Sequence, residues 1–104
     1  MPFERVAAAT ALWDGDMQGF VVRGKKVVLV KLQGRFYAYA DRCAHLGLPL
    51  SDGRLVDGVI VCKAHHYEYD ACTGRGVNPK SVCLRGYPVA QDADWVSVDV
   101  SGVT

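Results

Sequence analysis

The chain has little of most things that would settle its role at a glance. Its 104 residues carry 12 Lys and Arg against 11 Asp and Glu, so neither sign of charge dominates. A formal net charge of +1 gives no bulk attraction to nucleic acid or to an anionic membrane, and neither is expected as a partner. Long apolar runs are missing too. The longest, residues 27–32, is interrupted by Lys31 and falls well short of the ~20 residues that a membrane-spanning helix needs. Met1-Pro2-Phe3-Glu4-Arg5 has no basic region followed by an apolar stretch, so a secretion signal is not expected and the compartment is expected to be the reducing cytoplasm. Gly74-Arg75-Gly76 lacks the strand-to-helix context of a dinucleotide site, so no nicotinamide or flavin fingerprint is present.

Helix signals are also scarce. Residues 8–11 lean helical but are too short to hold a helix alone. The rest reads as short strands separated by turn residues. The alternation of residues 3–7 is that of a half-buried strand, and further strands are expected over 20–23, 27–32, 35–40, 54–56, 59–61, 67–70, 82–84, 87–90 and 95–100. Gly24-Lys25, Gln33-Gly34, Asp57-Gly58 and the run from Thr73 to Gly76 supply the turns between them. Leu12-Trp13 ahead of Asp14-Gly15-Asp16 reads as a turn with an apolar anchor; a calcium loop there would lack its other ligands. The length suits one domain, 1–104, and the many short strands predict an all-β protein, a sandwich or barrel. Phe36, Tyr37 and Tyr39 are expected to pack as a cross-strand aromatic set.

Cysteine and histidine are few, four and three, and they are concentrated. Cys43-Ala44-His45 lies in an expected loop over 41–50. Cys62-Lys63-Ala64-His65 begins where a strand ends, a rigid mount for a ligand. Two thiolates and two imidazoles satisfy a zinc ion, or a [2Fe-2S] cluster in which two histidines replace two cysteines on one iron. Structural zinc sites usually present their thiolates as one pair and their imidazoles as another. Here each loop offers one of each, which suits a centre with two unlike irons, and zinc remains the alternative. Cys72 and Cys83 have no histidine nearby and read as buried, reduced, core-filling thiols. His66, beside His65, is expected to be an exposed loop residue.

The pattern Cys43-x-His45, sixteen intervening residues, then Cys62-x-x-His65, resembles the Rieske [2Fe-2S] fingerprint. His45-Leu46-Gly47 and Thr73-Gly74-Arg75 extend the likeness. Trp13-Asp14-Gly15-Asp16-Met17, Gly76-Val77-Asn78-Pro79 and Tyr87-Pro88-Val89 carry it over nearly the whole chain. These stretches are similar to the Rieske ferredoxins of toluene monooxygenase systems. The resemblance implies an antiparallel β-sandwich or barrel base with a smaller cluster-binding subdomain, about 41–80, made of two ligand loops. It implies one [2Fe-2S] cluster ligated by Cys43, His45, Cys62 and His65.

Departures from the wider pattern refine the expectation. Respiratory and photosynthetic members tie the ligand loops with a disulfide; the corresponding positions here are Leu48 and Ala64, in keeping with a reducing compartment. The same relatives place a serine where this chain has Tyr67, so a hydrogen bond to a cluster sulfide is missing, while Tyr69 keeps the place of a tyrosine that donates to a cysteine sulfur. The expected potential is near the low end of the Rieske range, roughly −150 mV.

The resemblance also implies the role. With the ligands assigned, no Ser/His/Asp or Cys/His nucleophile arrangement remains, so the chain reads as an electron carrier with no catalytic site of its own, monomeric when free. An NADH-dependent flavin and iron–sulfur reductase would load it, and it would reduce the diiron hydroxylase of a multicomponent aromatic monooxygenase. Leu46, Leu48, Pro49, Tyr67 and Pro79 would form an apolar rim for docking. The alternatives are the ferredoxin of an aromatic-ring dioxygenase, a nitrite reductase small subunit, and a zinc-bearing interaction module.

Overall fold

A computed structural model describes residues 3–43, 49–63 and 67–101. Everything regular in them is strand except one 3-10 turn, Leu50–Asp52. No helix among the described residues is long and apolar enough to cross a membrane.

The strands form three antiparallel sheets. A central sheet joins β2 (Met17–Val22), β3 (Lys25–Leu32), β4 (Arg35–Ala40) and the two-residue β9 (Gly86–Tyr87), in the order β2-β3-β4-β9. One outer sheet holds β1 (Phe3–Ala8), β11 (Trp95–Asp99) and β10 (Val89–Gln91), in the order β1-β11-β10. The other is built from β5 (Arg54–Val56), β6 (Val59–Val61), β7 (Glu68–Asp70) and β8 (Gly76–Asn78), paired in sequence order.

Two-residue turns set the hairpin registers. Arg23-Gly24, Gln33-Gly34 and Asp57-Gly58 each put both residues at positive φ, 51° and 79°, 52° and 78°, and 50° and 77°. This is the mirror-image turn whose twist matches the flanking strands, and a glycine at its second position avoids a side-chain clash. The first of these corrects the sequence reading by one residue: the turn is Arg23-Gly24, and Lys25 opens β3 opposite Val22.

Strand β3 shows why the sheets stack as they do. Its residues Val27, Val28, Leu29 and Val30 are all fully buried, because each face meets a different core. Val27 and Leu29 pack with Leu12, Phe36, Ala38, Val96 and Val98 against the first outer sheet. Val28 and Val30 pack with Tyr39, Leu50, Ile60, Tyr69 and Leu84 on the opposite side, and Cys43 and Cys62 belong to this second core. Each fully buried aliphatic side chain contributes on the order of 1.5–3 kcal/mol, so both cores support the central sheet.

Four further sequence expectations are corrected. The stretch 87–90 is two strands, not one. Pro88 has no N–H to continue a ladder, and the chain crosses there from the central sheet at β9 to the outer sheet at β10, the Pro88 carbonyl accepting from the Asp99 N–H at 3.0 Å. Residues 82–84 make a single bridge, Arg75 to Cys83, and the paired segment is instead β8, Gly76–Asn78. Of the Leu12-Trp13 anchor, Leu12 is buried but Trp13 is 78% exposed. Cys72 and Cys83 are exposed thiols and do not fill the core. Cys72 sits in the turn after β7, where its N–H donates to Asp70 Oδ1 at 2.8 Å. The neighbouring Cys72 thiol, with some burial, raises the Tyr37 pKa.

Candidate metal centre

Cys43 and Cys62 arrive at the site on the ends of strands. Cys43 lies three residues beyond β4, and Cys62 directly follows β6. Both are buried, 2% and 0% exposed, within the same core. The second loop is closed at its neck: the Cys62 N–H donates to the Tyr67 carbonyl at 2.7 Å, immediately before β7 begins.

Tyr69 joins the two halves. It pairs with Ile60 across the β6–β7 hairpin and so belongs to the second ligand loop's mount. Its hydroxyl nevertheless lies 3.4 Å from Cys43 Sγ, in the first loop. The tyrosine singled out by resemblance is therefore in contact with a cysteine sulfur, while its ring is fully buried. A second tyrosine ties this region to the central sheet: the Tyr39 hydroxyl donates to the Ala71 carbonyl at 2.6 Å, and burial pushes its pKa well up.

The exit of the first loop is pressed against the entry to the second. The 3-10 turn ends at Gly53, whose N–H donates to the Leu50 carbonyl at 2.9 Å. A Cβ on Gly53 would run into the Val61 carbonyl, one residue before Cys62. Sequence reading missed this glycine, because nothing local marks a contact made across a hairpin. Gly53→Ala should force β5 and β6 apart beneath Cys62. The expected cost is about 1–3 kcal/mol of unfolding free energy, measured by denaturant titration.

His45 and His65, the two imidazole candidates, lie outside the described residues, as do His66, Leu46, Leu48 and Ala64. Pro49, Tyr67 and Pro79 are half-buried. The donor chemistry that is described fits an iron–sulfur group: two cysteines share an apolar, water-poor core, with a hydroxyl placed on one sulfur.

Comparison with known proteins agrees. The Rieske [2Fe-2S] domain model matches residues 3–88. The ferredoxin component of an alkene monooxygenase system from Xanthobacter autotrophicus is 45% identical over 94 residues, covering 89% of this chain and 77% of that protein. The ferredoxin component of a naphthalene 1,2-dioxygenase system from Pseudomonas aeruginosa is 34% identical over 102 residues, 94% of this chain and 98% of that one. Among solved structures, a complex of reduced oxygenase and oxidized ferredoxin in carbazole 1,9a-dioxygenase contains a chain that superposes with a TM-score of 0.82 at 30% identity, covering 91% of this chain and 99% of its own. The chain belongs to the Rieske [2Fe-2S] domain family, whose members bind a [2Fe-2S] cluster.

Proposed function

We propose that this protein carries single electrons between the components of an oxygenase system, using one cluster held by Cys43, His45, Cys62 and His65. A bound Rieske cluster supplies one-electron redox chemistry with all its ligand positions taken. The observation that carries the reading is the convergence of Cys43 and Cys62 in one core, with Tyr69 of the second hairpin on the sulfur of the first loop. The remaining residues have carrier work to do. The strands fix the cysteines, and the core around them excludes water. On this reading residues 41–80 form a cluster-binding subdomain within a single domain, and the β5–β8 sheet is its frame.

The donor in this proposal is an NADH-dependent flavin and iron–sulfur reductase, and the acceptor is the diiron hydroxylase of an aromatic or related hydrocarbon monooxygenase. Similarity to the alkene monooxygenase ferredoxin supports this choice. A ring dioxygenase as acceptor is the second reading, supported by likeness to the naphthalene dioxygenase ferredoxin over almost the full length of both chains. The two exposed thiols, Cys72 and Cys83, are in keeping with a reducing cytoplasm.

The reduced protein should give an electron paramagnetic resonance spectrum with a lower average g than an all-cysteine cluster. A colourless, iron-free protein that binds zinc would overturn the assignment. Leu48→Asp should leave that spectrum intact and slow reduction of the hydroxylase by about tenfold, the worth of one well-placed apolar contact. An unchanged rate in stopped-flow mixing would remove Leu48 from the docking surface.

A further inference from the structure

Among the described residues, one charged side chain is buried: Asp41, at 7% exposure. It lies two residues before Cys43. Both of its carboxylate oxygens are engaged by one residue on the far side of the first ligand loop. The Ser51 N–H donates to Oδ1 at 2.8 Å, and the Ser51 hydroxyl donates to Oδ2 at 2.6 Å. The backbone of Asp41 is itself fixed, its N–H donating to the Lys26 carbonyl of β3 at 3.0 Å. Ser51 is held in the 3-10 turn. The two ends of the loop are thus joined by a bidentate side-chain clamp and anchored on the central sheet.

A third residue shows how tightly the clamp is seated. Gly19, in the middle of β2, faces it directly: a Cβ there would lie 2.8 Å from Asp41 Oδ2 and 2.8 Å from Ser51 Oγ. A glycine in a strand interior weakens the strand unless something must approach the backbone closely. Here that something is the clamp.

We infer that Asp41 and Ser51, seated against Gly19, are positioning residues that hold the first ligand loop in its cluster-binding shape; the inference rests on the Rieske reading above. A carboxylate that accepts two hydrogen bonds in a buried setting closes the loop at its base, without a covalent link between the loops. Opening the clamp lets the loop carrying Cys43 depart from its mount, and the cluster is then released faster.

The test is the rate of cluster release from the purified holoprotein, followed by loss of visible absorbance after an iron chelator is added. The reduced spectrum of each variant is recorded beside it. Asp41→Ala should speed release about tenfold and Ser51→Ala by several-fold, in the range of lost support to a metal ligand. The double variant should match Asp41→Ala within about twofold, because both substitutions remove one interaction. Asp41→Asn, which keeps an acceptor for the Ser51 N–H, should recover most of the loss. Gly19→Ala, a methyl group on another strand, should also speed release about tenfold by wedging the clamp open. Broadening of the resonance lines in the clamp variants, and rescue by Asn, would separate positioning from a general loss of stability. Unchanged release in Ser51→Ala and Asp41→Ala, or effects that multiply in the double variant, would overturn the clamp while the wild-type Rieske spectrum stood. A wild-type protein without that spectrum would overturn the reading beneath it. Should Gly19→Ala fail to fold, the Asp41 and Ser51 cycle decides alone.

Discussion

Cys62→Ala is expected to leave a chain that folds around its base sheets but holds less than about a tenth of the wild-type iron, because a metal site that loses a thiolate loses most of its binding free energy. Alanine offers no donor, and the side chain it replaces is fully buried, so no exposed residue can swing in to substitute. Cys43→Ala should behave alike, for the same reason and from the opposite loop. The imidazole pair gives the sharper contrast. His65→Ala should abolish the visible spectrum, whereas His66→Ala, one residue along, should retain it. His45→Cys should shift the spectrum toward that of an all-cysteine cluster or lose it. Because a bound group stabilises only the folded state, the iron-free variants should also melt at lower temperature than the holoprotein. Iron content, absorbance and thermal melting, measured on one preparation, check all of this. A His66→Ala protein without iron, beside a His65→Ala protein with it, would move the ligand assignment by one residue.

What could be seen in the sequence, and what could not, follows from the range of the interactions involved. Hairpins were legible because their cause is local. Gln33-Gly34 and Asp57-Gly58 stand between alternating apolar runs, and the strands beside them, Arg35–Ala40, Arg54–Val56 and Val59–Val61, fall where the pattern put them. Cys43 and Cys62, read as facing each other from two loops, share one core. Pro88 stands inside the single strand expected over 87–90, and the change of sheet there comes from the pairing of β10 with β11, which the local pattern around Pro88 does not reveal. The turn expected over 73–76 runs into β8 at Gly76, a strand the pattern does not mark because its pairing with β7 is irregular and shifted at Glu68 and Tyr69. Residue type alone puts Cys72 and Cys83 in the core, yet both are exposed, and Cys72 sits in a turn capped by Asp70. The Asp41–Ser51–Gly19 cluster was invisible for a plainer reason. Its members sit on a strand, a loop end and a 3-10 turn, and only the stacking of the sheets brings them together.

Tyr69 offers the second large effect, and two substitutions divide it. Its ring is the largest of the fully buried side chains, packed in the core that holds both cysteines. Tyr69→Ala empties that space and should cost about 3–5 kcal/mol of stability, as truncation of large buried aromatics does. The cavity would open in the core that holds both cysteines, so cluster retention should fall with it. Tyr69→Phe keeps the ring and removes only the hydroxyl that lies 3.4 Å from Cys43 Sγ. A cysteine ligand is a thiolate with no proton to give, so in the cluster-bound protein the hydroxyl must be the donor. A donor on the sulfur favours the more negative, reduced state, and its loss should lower the potential. A hydrogen bond to a charged group is worth about 1.5–3 kcal/mol in full. If roughly 1 kcal/mol of it is gained on reduction, the potential of this one-electron couple falls by about 40 mV. The measurement is a spectroelectrochemical titration of wild type and Tyr69→Phe at one pH. Tyr69 places a hydroxyl on the sulfur of the first loop, and that donor holds the potential up. A Phe variant with the wild-type potential would mean that the hydroxyl does not donate to the sulfur, and that the packing of the ring is all that the cluster requires of it.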